Sequence, residues 1–208
     1  MEKSFSKRIF LAINLPQETK SQFLKVVSRL KEELQKSGDF GKTIRWIPAP
    51  NLHLTLLFLG RLNQVQLNDL ILCVKDLSQK YQSFELQFEK IIWAPPEQKI
   101  PRLIWAEVKE NKKLEKLAED LKESVFKLPS FKYLPQEERS FKPHLTLARI
   151  NQWEFKRKIE NDLLEIKKEI EIAFKVKSFE IMESKLKRSG AEYQIIQSFN
   201  FKESPNCP

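Results

Sequence analysis

Glycine is scarce in this chain, four residues in 208. No Gly-x-Gly-x-x-Gly or Walker-type string occurs, which argues against a backbone-lined phosphate loop of the nucleotide-binding kind. The two cysteines, Cys73 and Cys207, are too far apart for a metal-ligand spacing. Cys73 falls in an apolar helical stretch and reads as a core residue. No apolar run approaches the length of a bilayer span, and Met1 to Arg8 lacks the long hydrophobic segment of a signal peptide. A cytoplasmic location away from membranes is therefore the expectation. What remains is ordinary for a globular protein, 41% hydrophobic and 31% charged, with a formal net charge of +9 that favours polyanionic partners.

Histidine is scarcer still, and both copies open the same tetrapeptide: His53-Leu54-Thr55-Leu56 and His144-Leu145-Thr146-Leu147. Only four threonines occur in the chain, and the two motifs use half of them. Alternation with leucine predicts a strand at each motif, and a strand puts His53 with Thr55, and His144 with Thr146, on one face.

The motifs sit in a longer repeat. Arg8-Ile9-Phe10-Leu11-Ala12 is echoed by Arg102-Leu103-Ile104-Trp105-Ala106, 94 residues on, while the histidines are 91 apart. In each half a strand is followed by a helical pattern, Pro16 to about Lys36 and about Asn111 to Leu128, before the His strand. A further helix, strand, loop and partner strand then follow. In the first half these are Gln64 to Lys80, Phe84 to Trp93, Ala94 to Pro101 and Arg102 to Val108. In the second they are Gln152 to Lys168, Glu169 to Met182, Lys185 to Gly190 and Glu192 to Phe201. A short strand is also expected at Arg45-Trp46-Ile47. Internal duplication of this kind predicts two pseudo-symmetric lobes around a groove, with the two histidine strands meeting across it.

Two imidazoles titrating near pH 6.5 can serve as general base and general acid together, with threonine hydroxyls binding non-bridging phosphate oxygens. Arg149, three residues beyond Thr146, suits the growing negative charge; the matching position in the first motif is Phe58. A single such histidine would read as structural. A zinc site would need a third ligand, and no Asp, Glu, Cys or third His recurs beside the pair. β-Propensity accounts for Leu-Thr-Leu but not for a histidine before both copies.

On these residues the chain resembles the 2H phosphoesterase superfamily, and within it the bacterial and archaeal RNA 2′,3′-cyclic phosphodiesterases, first described as 2′-5′ RNA ligases. The resemblance runs through Arg8 to Ile13, Arg45-Trp46, His53 to Gly60, Pro101 to Ala106 and Phe141 to Arg149. It continues to Glu183-Ser184, Gly190 and Tyr193. It implies an α+β fold of two pseudo-symmetric lobes, each an antiparallel sheet with helices on the outside, around a central cleft. Residues 1–208 would form a single domain of two duplicated, intertwined lobes, acting as a monomer. The implied reaction is cofactor-free, metal-independent hydrolysis of an RNA-terminal 2′,3′-cyclic phosphate to a 2′-phosphate. His53 would be the proton donor to the departing O3′ and His144 the proton acceptor from the attacking water. Thr55, Thr146 and Arg149 would hold phosphate oxygens, and Phe10 would stack on a base, with Trp46 and Phe141 as further aromatic candidates. Partners would be RNA ends carrying the cyclic phosphate, tRNA fragments among them, with the Lys185 to Arg188 run at the edge of the RNA surface. Two other functions use the same residues: 2′-5′ ligation, disfavoured by water at ~55 M unless RNA ends are held together, and non-catalytic binding of RNA ends.

Overall fold

The computed structural model describes residues 6–37, 43–135, 140–158, 166–187 and 190–202. The strands are β1 (Lys7–Asn14), β2 (Ile44–Trp46), β3 (His53–Leu62), β4 (Phe84–Ala94), β5 (Leu103–Val108), β6 (His144–Ile150), β7 (Lys167–Val176), β8 (Ser178–Lys187) and β9 (Gly190–Asn200). The helices are α1 (Gln17–Ser37), α2 (Gln64–Ser78), α3 (Lys112–Phe126) and α4 (Gln152–Lys158). Their starts have local causes. Asn63 and Gln66 form a reciprocal capping box ahead of α2, and the Asn111 side chain accepts from Leu114 N at the start of α3.

The strands hydrogen-bond in the order β7-β4-β5-β6-β3-β1-β8-β9, with β2 added to β6, and their pairings are antiparallel. The middle of this array is narrow: the register of β3 with β6 is the single pair Leu54 and Leu145. Two half-sheets therefore meet where the two histidine strands begin, as the duplication predicts.

The halves of the sequence are interleaved in space. β4, from the first repeat, pairs with β5 and β7, while the β8–β9 hairpin returns to β1. Packing crosses over in the same way. Phe23 on α1 meets Phe88 on β4 edge-on at 4.9 Å, and α3 packs on α2 and β3. One continuous apolar cluster results, into which α1 projects Phe23, Val27, Leu30 and Leu34. Cys73 is half-buried against it.

Three element expectations need correction. The run Glu169 to Met182 is two strands, broken at Lys177, where the chain leaves the β4 edge and crosses to β1. The buried phase shifts there: Ile170, Ile172, Phe174 and Val176 alternate inward, followed by Phe179 and Ile181. The helix expected over Gln152 to Lys168 is α4, ending at Lys158, and β7 already begins at Lys167; residues 159–165 lie outside the described ones. The polar run from Lys185 is not loop at its start, because Lys185, Leu186 and Lys187 continue β8 and pair with β9. Arg188 lies outside the described residues, as does Cys207.

Candidate active site

The register Leu54–Leu145 decides what faces the groove. Those two leucines are fully buried on the core face. Extending the antiparallel register by one residue either way sets His53 opposite Thr146 and Thr55 opposite His144, all four on the other face and half-buried. The two tetrapeptides thus form one quartet rather than two separate pairs.

A regular strand would turn Arg149 away from this face, since it is three residues from Thr146. A β-bulge corrects it. β5 pairs Trp105 with Thr146 but Ile104 with Ala148, so Leu147 is an extra residue. Arg149 returns to the groove face, exposed, while Leu147 and Ala148 are both buried. The first motif carries the same device. β1 pairs Ala12 with Thr55 but Leu11 with Leu57, leaving Leu56 extra and Phe58 exposed on the groove face. Both His strands show the same succession of half-buried, buried and exposed residues from His to the seventh position.

Each histidine ring is anchored to the backbone two residues before it. His53 Nδ1 lies 2.7 Å from the Asn51 carbonyl, and His144 Nδ1 lies 2.7 Å from the Lys142 carbonyl. A carbonyl only accepts, so Nδ1 donates in both rings and Nε2 is left to gain or lose the proton. Aromatic neighbours fix the ring planes. His53 packs against Phe10 (5.0 Å between centroids) and Tyr193 (4.8 Å), and His144 against Trp105 (4.2 Å).

The strands flanking the motifs add unlike charges. Asn14 stands opposite His53, and Glu107 opposite His144. These equivalent positions are 93 residues apart, so spatial equivalence is offset by one from the Arg8–Arg102 echo; strand pairing, not residue likeness, sets it. Lys20, buried on α1, donates to Asn14 Oδ1 at 2.8 Å. The buried Glu180 carboxylate accepts from Asn14 N (2.8 Å) and Ser178 Oγ (2.7 Å). Glu107 is ion-paired to Lys90 at 2.9 Å.

Burial pulls the pKa of His53 from 6.5 down to about 4; the Asn51 carbonyl opposes this, and the nearby Lys20, Arg149 and His144 reinforce it. Burial also lowers His144, but there the Lys142 carbonyl and the Glu107 carboxylate both pull upward. Burial raises Glu180, against its hydrogen bonds and Lys20, and lowers Lys20, against Glu180.

Of the residues expected at the site, His53, Thr55, His144, Thr146 and Arg149 share the groove face. Phe10 does not fit the part of a stacking surface: it is 2% exposed, lying with Ala12 and Met182 beneath Tyr193 and under the His53 ring. An exposed aromatic on the groove face is Phe58, 59% accessible and 6.0 Å from Phe10. Trp46 and Phe141 are half-buried against the main core. The flanking Asn14, Lys20, Glu107 and Glu180 were not among the expected residues; the only trace of Asn14 and Glu107 in the sequence is their place at the ends of the duplicated strands.

A family model described as the 2′-5′ RNA ligase superfamily matches residues 20–188. The chain belongs to that superfamily. Proteins named RNA 2′,3′-cyclic phosphodiesterase are similar to it. The one from Aquifex aeolicus is 29% identical over 84% of this chain and 91% of its own length. The one from Methanocaldococcus jannaschii is 27% identical over 92% and 99% respectively. A solved Thermus thermophilus protein, TT0787, superimposes with a TM-score of 0.75 at 26% identity, covering 95% of this chain and all of that one.

Proposed function

We propose that this chain hydrolyses the 2′,3′-cyclic phosphate at RNA 3′ ends to a 2′-phosphate, by general acid–base catalysis between His53 and His144 and without a metal ion. The observation that carries this reading is the Leu54–Leu145 register, which gathers both His-Thr pairs on one face while both Nδ1 atoms are committed to carbonyls. The names of the relatives supply the substrate class. The interleaved half-sheets support one domain over 1–208, made of two duplicated lobes; we read it as acting as a monomer, on cleaved tRNA ends among other RNAs.

In the reaction, His144 Nε2 takes a proton from water as its oxygen attacks phosphorus in line. The P–O3′ bond breaks, and His53 Nε2 gives its proton to O3′, leaving a 2′-phosphate and a 3′-hydroxyl. Thr55, Thr146 and Arg149 hold the non-bridging oxygens as negative charge grows on them. Before substrate binds, His53 is neutral at pH 7, because burial and neighbouring cations disfavour its charged form. His53 therefore takes up a proton from solvent as the substrate binds, because the phosphate charge offsets Lys20 and Arg149. Water outcompetes an RNA hydroxyl for the cyclic phosphate, so hydrolysis outruns ligation.

The test is product analysis on a short RNA ending in a 2′,3′-cyclic phosphate, with EDTA present. The proposal requires a 2′-phosphate product. A 3′-phosphate would move the scissile bond, activity that needs an added divalent ion would replace the mechanism, and binding without turnover would leave an RNA-end binder.

A further inference from the structure

Arg45 and Arg149 stand directly opposite one another on β2 and β6. Residues so paired project from the same face, so Arg45 shares the groove face with Arg149, and both are exposed. Directly opposed like charges are destabilising. Among the described residues neither guanidinium is held in an ion pair with a carboxylate. The pair is thus an unneutralised step of positive charge leading away from the histidines.

The Arg45 head lies beside the start of β9. Its Nη1 lies 3.6 Å from where a Cβ would stand on Gly190, whose φ of +129° only glycine adopts readily. The next residue, Ala191, accepts a hydrogen bond through its carbonyl from Asn51 Nδ2 at 2.9 Å. Asn51 in turn holds His53 through its own carbonyl. Arg45 thus stands near the first residue of β9, and the next residue is hydrogen-bonded to the one that anchors His53.

A cyclic phosphate diester carries one negative charge and two non-bridging oxygens. Thr55, Thr146 and Arg149 already supply donors for both. Arg45 is surplus to that group. The ring closes the 3′ end of the substrate, so the next negative charge along an RNA chain is the phosphodiester on the 5′ side of the terminal nucleoside. A guanidinium fork matches a phosphate bidentately.

We propose that Arg45 forms a second phosphate subsite, taking the phosphodiester 5′ to the terminal nucleoside while Arg149 takes the cyclic phosphate. This rests on the phosphodiesterase reading and narrows it: the substrate is an oligonucleotide end in preference to a nucleoside cyclic phosphate.

The experiment compares two dinucleotides, each ending in a 2′,3′-cyclic phosphate, one joined by a phosphodiester and the other by an uncharged methylphosphonate. Wild-type protein should favour the charged linkage in kcat/KM by about tenfold, the worth of one charge-assisted contact. In Arg45→Gln that ratio should fall towards one, and the slope of log(kcat/KM) against log salt should become shallower by about 0.7 on the charged substrate. Arg45→Lys, which keeps the charge, should retain most of the preference; a loss of ratio in Gln but not in Lys separates phosphate binding from a mere strand-packing role. A wild-type protein indifferent to the linkage, or an Arg45→Gln protein with the full preference, would overturn the subsite and leave the phosphodiesterase reading standing. If wild-type protein turned over neither dinucleotide, that reading would fall and the subsite with it.

Discussion

Asn14 and Glu107 occupy equivalent places, opposite His53 and opposite His144, and one is neutral while the other is a carboxylate. Asn14 brings the buried Lys20 towards His53, whereas Glu107 supports charge on His144. Burial lowers both imidazoles, and the duplicated framework surrounds them with unlike charges, cations beside His53 and a carboxylate beside His144. In the free protein this favours neutral His53, so the phosphate charge of bound substrate has to reverse the bias before His53 acts as the acid.

Replacing these neighbours should move each histidine separately. Lys20→Met should raise the His53 pKa from about 4, and Glu107→Gln should lower that of His144, both read by NMR titration of the two imidazoles. Lys90 on the neighbouring strand loses its ion-pair partner in the second variant. Titration curves unmoved by either change would show that burial alone sets both values.

Stability should fall in acid through the same ring. His53 folds with its pKa lowered from 6.5 to about 4, so between those values the unfolded chain binds more protons than the native one. The contribution is complete above pH 6.5 and is lost as pH falls towards 4, on the order of 3 kcal/mol at most. Glu180, raised by burial, slopes the other way above its ordinary value, so the measurement is the difference between wild type and His53→Ala in denaturant midpoints across pH 4 to 7. Parallel curves would contradict the buried, neutral His53.

Arg149→Gln should lower kcat/KM by about 10- to 100-fold, the value of a charge-assisted contact that strengthens with developing charge, with little change in thermal midpoint because the side chain is exposed. An unchanged kcat/KM would remove it from the site.

Phe10 and Phe58 should separate folding from recognition. Phe10→Ala empties a buried position beside His53 and should cost roughly 3–5 kcal/mol of stability. Phe58→Ala should leave stability nearly unchanged and weaken RNA binding by about 1–3 kcal/mol if a base stacks there. Equal stability losses in the two variants would contradict their different burial.

Much of the fold was legible because its periodicities are local. The strand before each helix, the helices themselves and both His strands follow from alternation and apolar spacing read within a few residues. Pairing was less legible. The crossover at Lys177 looks like one long strand, since only the inward phase changes there. His53, Thr55, His144 and Thr146 were visible through duplication and Arg149 through its place three residues beyond Thr146, yet Arg149 reaches the groove only because Leu147 is bulged out, a feature of the strand pairing that alternation does not reveal. Phe10 was misplaced for a related reason: an aromatic beside a motif strand reads alike whether it lies above or below the histidine. Lys20 and Glu107 carry no motif of their own, and only strand register and side-chain contact bring them to the groove; Arg45 lies in the Arg45-Trp46 match, but its place opposite Arg149 comes from the β2–β6 register.

The proposed reaction requires both histidines to act in one proton-transfer cycle. The most direct measurement is kcat/KM on a cyclic-phosphate RNA for His53→Ala, His144→Ala and the double variant, with circular dichroism confirming that each is folded. Each single variant should lose about 10²- to 10⁴-fold, and the double variant little more than either alone, because the two groups work as a unit. A folded single variant within a few-fold of wild type would contradict the two-histidine mechanism.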